Sequence, residues 1–217
     1  MTIDLDSTAF FPALDTVRVF DVPLLRATHE SLLGYGHPVF SYGDADVEIV
    51  TWPAAGWRSI DEGTGRGAIT EGAFKVYREG DIMLGENHAV NGRYITGWFG
   101  DPAQATRTQQ RVHSNAILTA EANYHPDSGQ IFYPREAKAF VALLALPGDD
   151  ITPQDFRAFY FDGSFGIHIN SGVWHQPLYP VDAMITFDDK QGQVHACVSC
   201  DFLREFGGYL NVPLYAP

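Results

Sequence analysis

Glycine and proline cut this chain into short pieces. Of its 217 residues, 21 are Gly and 13 are Pro, spread along the whole length. In a helix interior each Gly costs roughly 1 kcal/mol and each Pro about 3 kcal/mol relative to Ala, so the spacing argues against a helical bundle and for many short strands joined by tight turns. From Gln130 onward the strand signals follow one another as QIFYP, AFVALLALPG, FRAFYF, GIHI, AMITF and QVHACVSCDF. The run AFVALLAL is apolar on both faces, which predicts a central strand covered on each side. DDKQGQ, between the last two runs, reads as a hairpin connection. The expected fold is all-β, a barrel or jelly roll of two packed sheets with a few short peripheral helices. One such helix is predicted after Asp21, with Pro23 in its first turn, Leu25, Leu32 and Leu33 as its apolar stripe and Gly34 as its end. A second short one is open at Pro102. The chain is expected to form a single domain, 1–217, with the Gly- and Trp-rich stretch 46–102 as an elaboration on the barrel and 115–202 as its core.

Composition narrows the function classes. A chain that is 45% hydrophobic and 13% aromatic does not have the makeup of a disordered polymer. The net charge is −13 and Lys and Arg never cluster, so nucleic acid and anionic membrane surfaces are set aside as partners. No apolar run approaches the ~20 residues that cross a bilayer, and the N-terminus lacks a basic segment followed by an apolar one; the expectation is a soluble, cytoplasmic protein. Arg outnumbers Lys by 11 to 3, and the guanidinium fork pairs carboxylates bidentately. A small anionic ligand therefore remains open. Cys197 and Cys200 form a lone CVSC; residues three apart on a strand point to opposite faces, which favours structural roles over a redox or zinc pair.

Eight histidines, at 29, 37, 88, 113, 125, 168, 175 and 195, call for selection, since a lone His is more often a packed or surface residue than a ligand. Two stand in suggestive spacing. His125 follows Asn123 by two and precedes Gln130 by five; His175 closes Gly172-Val-Trp-His175. These spacings resemble the two motifs of the cupin superfamily, H-x-H-x(3,4)-E and G-x-x-H, with Asn123 and Gln130 at the other His and Glu positions.

A larger stretch, about 115–180, resembles the ureidoglycolate lyase family. It carries His125-Pro126, Gln130-Ile-Phe132-Tyr-Pro134, the strand FVALLALPGDD, Arg157-Ala-Phe159 and Trp174-His175-Gln-Pro177-Leu178, in the family's order. VRVFDVPLLRATHESLLGYGHPV also resembles the family's opening. Tyr124 stands where Arg is common before the HP pair, and Asn123 where Glu is common. The resemblance implies a carbon–nitrogen lyase that splits a carbinolamide acid into glyoxylate and urea, a place in allantoin degradation within purine catabolism, and a small anionic hydroxy-acid substrate.

Such cleavage needs a base, an acid and a carboxylate anchor. His125, His175 and Gln130 are the expected catalytic residues, imidazole being suited to proton transfer near neutral pH. Arg157, Tyr124, Asn123, His168 and Trp174 are the expected substrate contacts. Alternatively His125, His175 and Gln130 hold a divalent metal (Ni, Zn, Mn or Fe), completed by Glu86 or Glu121. Glu86, Asn87, His88 and Arg93 form a further polar cluster. Two other readings stay open: an enzyme acting on another small hydroxy or keto acid, and a binding module that senses a carboxylate. The absence of an effector motif speaks against a regulator. Edge strands of such folds pair between subunits, so a homodimer is expected.

Overall fold

The computed structural model describes residues 11–50, 56–61, 63, 67–194 and 196–217. Most of WPAAGWR, part of GTGRG, and His195 lie outside that set. The described chain is mostly β-strand, in two mixed sheets. The ten-stranded sheet runs Arg18–Asp21, Gly208–Pro213, Ala116–Thr119, Gly92–Trp98, Ile82–Asn87, Ile69–Glu79, Met184–Gly192, Gln130–Pro134, Gly166–Ile169 and Gly36–Val39. The other runs Leu24–Arg26, Arg157–Phe161, Phe140–Ala145, Trp174–His175, Glu121–Tyr124, Cys197–Asp201 and Ile60–Asp61, with Tyr179–Pro180 also pairing Phe140–Ala145. The all-β, cupin-like class holds; among the described residues both sheets have open strand orders.

The central-strand reading holds for Phe140–Ala145. All six of its residues are fully buried, flanked by Arg157–Phe161 on one edge and by Trp174–His175 and Tyr179–Pro180 on the other. Burying Phe140, Val141, Leu143 and Leu144 contributes on the order of 10 kcal/mol before chain entropy is subtracted. One contiguous core takes side chains from both sheets, with Phe74, Phe132 and Phe187 from the larger meeting Phe140 and Phe161 from the smaller.

Two local readings are corrected. The expected first helix is absent: Leu24–Arg26 forms a strand parallel to Arg157–Phe161, and turns follow, buried at Leu32. Pairing there satisfies backbone groups on both sides, the Pro23 carbonyl accepting from Ala158 N–H and Ala27 N–H donating to Tyr160, and this outweighs a weak helical stripe. DDKQGQ is no hairpin loop. Asp188 to Gly192 continue the strand Met184–Gly192, registered in order on Ala73, Gly72, Glu71, Thr70 and Ile69 of the long strand Ile69–Glu79, while Cys197–Asp201 belongs to the other sheet. Pro102 opens a single 3-10 turn, Pro102–Gln104, capped by Asp101, and the α-helix is Phe202–Phe206, capped by Asp201 and ended by Gly207.

The 46–102 stretch supplies three consecutive strands, Ile69–Glu79, Ile82–Asn87 and Gly92–Trp98, that extend the larger sheet from Met184–Gly192. They form one wall of the pocket described next.

Candidate functional site

A pocket lies between the two sheets. The larger sheet contributes Phe74, Asn87, Tyr94, Gln130 and Phe132; the smaller and its loops contribute Glu121, Asn123, His125, His175, Gln176, Pro177 and Cys197. Strand periodicity explains who points inward. Asn123 and His175 are direct cross-strand partners, so both face the pocket, while their neighbours Tyr124 and Trp174 face away. Gly172, at φ +79°, makes the left-handed turn before the His175 strand, and its N–H donates to the His125 carbonyl at 3.1 Å. That turn ties the two histidine segments together, and the rings sit with centroids 5.2 Å apart.

The hydrogen bonds run deeper than the pocket lining. His175 Nδ1 is 2.9 Å from the Val173 carbonyl, and its Nε2 is 3.1 Å from Gln130 Oε1. Gln130 Nε2 in turn lies 2.7 Å from Asp189 Oδ1. Asp189 is fully buried and accepts at its second oxygen from Asn87 Nδ2 at 3.0 Å. Burial, together with the neighbouring His125, pushes His175 down to about 3. Burial pushes the Asp189 carboxyl up to about 7, against the opposing hydrogen bonds from Gln130 and Asn87. His125 moves the other way: burial opposes its charge, but the Cys197 sulfur 3.4 Å from Nδ1, the Ala196 carbonyl at 3.0 Å and Asp127 outweigh it and hold the imidazole above its ordinary value. Two imidazoles in one pocket are thus driven apart, one kept neutral and one kept charged, the pattern that separates a base from an acid.

Residues 103–203 match the sequence family described as ureidoglycolate lyase. A ureidoglycolate lyase of Burkholderia cepacia is 36% identical over 106 residues, covering 46% of this chain and 59% of that protein. One from Salmonella paratyphi B is 34% identical over 71 residues, covering 33% and 44%. The likeness to the ureidoglycolate lyase family lies in the segment 103–203. The chain spans 59% or less of the length of these relatives, and the matched segment includes all of the pocket's smaller-sheet wall together with Gln130 and Phe132.

Of the residues singled out in the sequence, His125, Gln130, His175 and Asn123 meet in this pocket, and Glu121 and Asn87 join them. Four expected substrate contacts do not. Tyr124 faces away, its hydroxyl toward Asp149 and its ring against Trp174 at 4.7 Å. Trp174 is fully buried, its indole N–H donating to the Gly148 carbonyl. Arg157 lies two strands from His175 and donates to the carbonyls of Gln154 and Phe156 at its own strand start. His168 is registered on Ile131, hence on the face opposite Gln130; it pairs with Glu48 at 2.8 Å and stacks on His37. Glu86 also faces outward, to Tyr77 and Arg93, bordering a separate shallow pocket with His88. No Arg or Lys among the described residues lines the main pocket, so the Arg excess serves chain-fastening contacts such as the Arg58–Glu205 pair.

The sequence reading missed Asp189, Gln176, Cys197, Tyr94 and Phe74. Asp189 was hidden by its setting, because DDKQG has the composition of a turn. The signal available was alternation: Ile185, Phe187, Asp189 and Gln191 share one strand face, and all four are buried. Cys200 is a core residue, as expected, but Cys197 opens onto the pocket.

The donor set for a metal is poor. Beside His125 and His175 stands the neutral amide of Gln130, and no group of three or more His, Cys, Asp or Glu among the described residues converges as a metal site. Two imidazoles and a neutral amide without a carboxylate make a weak site for a divalent ion, and the reaction is argued from the side chains alone.

Proposed function

We propose that this protein is a lyase that cleaves the carbon–nitrogen bond of ureidoglycolate, or a closely related carbinolamide acid, to glyoxylate and urea. The observation that carries the reading is that two imidazoles with opposite protonation preferences line one pocket, within the segment that matches the family. In the reaction His175 takes the carbinol hydroxyl proton at Nε2, where the hydroxyl displaces the Gln130 amide. The carbinol oxygen forms the aldehyde C=O, and the C–N bond breaks. The His125 imidazolium gives its proton to the departing urea nitrogen, and its charge attracts the substrate carboxylate in a pocket whose described lining has no Arg or Lys. Neutral amides of Asn123 and Gln176 complete the polar lining. The same reading includes action in allantoin breakdown within the cytoplasm and assembly as a homodimer. Among the described residues no helix is long and apolar enough to cross a membrane.

The test is a urea-release assay with ureidoglycolate. Wild-type protein is expected to release urea and glyoxylate in equal amounts, and His175→Ala to lower kcat by about 10²–10⁴-fold with the fold retained, the usual loss for a general base. Full activity in folded His175→Ala protein overturns the assignment of the base; no urea from wild type overturns the reaction.

A further inference from the structure

The chain Asp189–Gln130–His175 contains a conflict that its atoms can resolve only by their protons. Val173 presents a carbonyl to His175 Nδ1, and a carbonyl only accepts, so Nδ1 carries the hydrogen. In neutral imidazole Nε2 is then bare, yet it faces Gln130 Oε1, another acceptor. The far end is fixed independently. Asn87 Oδ1 accepts from Ala89 N–H at 2.9 Å, which orients its amide so that Nδ2 donates to Asp189 Oδ2. The free variable is the Gln130 amide, whose oxygen and nitrogen positions are interchangeable in outline. With Nε2 toward an ionised Asp189, Oε1 requires an N–H on His175 Nε2 and removes the base. With the amide turned, Nε2 donates to the bare His175 nitrogen, and Oε1 requires a proton on Asp189. In the neutral chain the two arrangements hold the same number of protons.

We propose that Asp189 is a positioning residue for the lyase reaction: by holding a proton toward Gln130 it turns the amide so that His175 Nε2 is bare and able to act as the base. This rests on the reading of His175 as the base. Asp189 meets the chemistry only through Gln130. Its carboxyl is fully enclosed, on the face it shares with Phe187 and Gln191 and beside Phe132 of the adjacent strand. The titratable groups around it are His125, Tyr94, Tyr42 and Asp188, with Cys197 and Glu121 across the pocket. Tyr94 and Tyr42 are raised by burial and stay protonated through neutral pH, and Asp188 faces outward to Arg135. The raised Asp189 carboxyl therefore loses its proton near pH 7, ahead of His125, and the base is lost with it as pH rises.

Asp189→Asn provides the test, because an asparagine amide mimics the protonated acid at both ends. Its oxygen can accept from Asn87 and its nitrogen can donate to Gln130 at every pH. In wild type, kcat/KM is expected to fall as pH rises through about 7; in Asp189→Asn the fall is expected to move upward, toward about 9, where His125 loses its proton. Asp189→Ala, which leaves Gln130 unoriented, should lower kcat about tenfold or more at pH 6. A merely structural role would lower activity in both variants without moving the pH profile. An independent readout needs no substrate: ¹⁵N spectra of the imidazoles should show His175 Nε2 bare below pH 7 and its tautomer changing across pH 7 in wild type, but fixed in Asp189→Asn. A tautomer that behaves alike in the two proteins, or an unmoved activity limb, overturns the proposal. Absence of urea release from wild type overturns the lyase reading alone, since the spectra still decide the role of Asp189.

Discussion

At the scale of single residues, position on a strand decides function more than residue type does. Arg157 has the right chemistry for a carboxylate anchor, and the resemblance placed it among the substrate contacts; its guanidinium is spent on the carbonyls of Gln154 and Phe156. Arg157→Lys is accordingly expected to leave KM for ureidoglycolate within about twofold of wild type, because a group that does not touch substrate contributes no uniform binding. A several-fold rise in KM in steady-state kinetics would return Arg157 to the site. His125 is the opposite case. Its signals in the sequence were its spacing and the His125-Pro126 pair, and the sulfur of Cys197 supplies the environment that keeps it charged. That partner was legible only as half of an unpromising CVSC, since which face of a strand meets a pocket depends on what the sheet packs against.

At the scale of elements, strands with one dominant apolar pattern were readable, and those that carry polar groups into the interior were not. Gln130–Pro134, Phe140–Ala145, Arg157–Phe161 and Gly166–Ile169 coincide with runs visible in the sequence. Met184–Gly192 was cut short at its first aspartate, because turn propensity is a local quantity while the pairing of nine residues with Ile69–Glu79 is not. The turn at Gly172 shows local conformation serving the site. Its φ of +79° is a backbone state that costs a residue with a Cβ about 1–2 kcal/mol, although a Cβ there would meet only Pro147, at 3.7 Å. Gly172→Ala should therefore lower unfolding stability by about that amount through backbone strain. The tie from Gly172 N–H to the His125 carbonyl makes kcat fall as well. Chemical denaturation gives the first quantity and the urea assay the second; unchanged stability would show that the turn relaxes without strain.

At the scale of the whole molecule, the site and the core are one object, because the pocket lies between sheets that share their apolar interior. Chain-wide stability must then register the site's buried charges, and the signs can be worked out. His175 is held at about 3, below its ordinary 6.5, so between those values the unfolded chain binds a proton that the native one does not, and stability rises with pH. Asp189 is held at about 7, above its ordinary 3.8, so between those values the native chain binds the extra proton, and stability falls with pH. Each slope amounts to about 1 kcal/mol per pH unit, and across roughly pH 4 to 6.5 they oppose one another. Asp189→Asn removes only the falling one. Other titrating groups, among them His125 and Glu48, are common to both proteins and cancel in the comparison. The variant should therefore gain stability relative to wild type as pH rises from 4.5 to 6.5, by about 1 kcal/mol per unit, the gain levelling off only as Asp189 ionises near pH 7. Denaturant unfolding of both proteins at pH 4.5, 5.5 and 6.5, with equal m-values as the check that the unfolded states match, measures this difference. Parallel curves would mean that Asp189 is ionised in the folded protein, and the orientation of Gln130 would then be fixed with its oxygen toward His175.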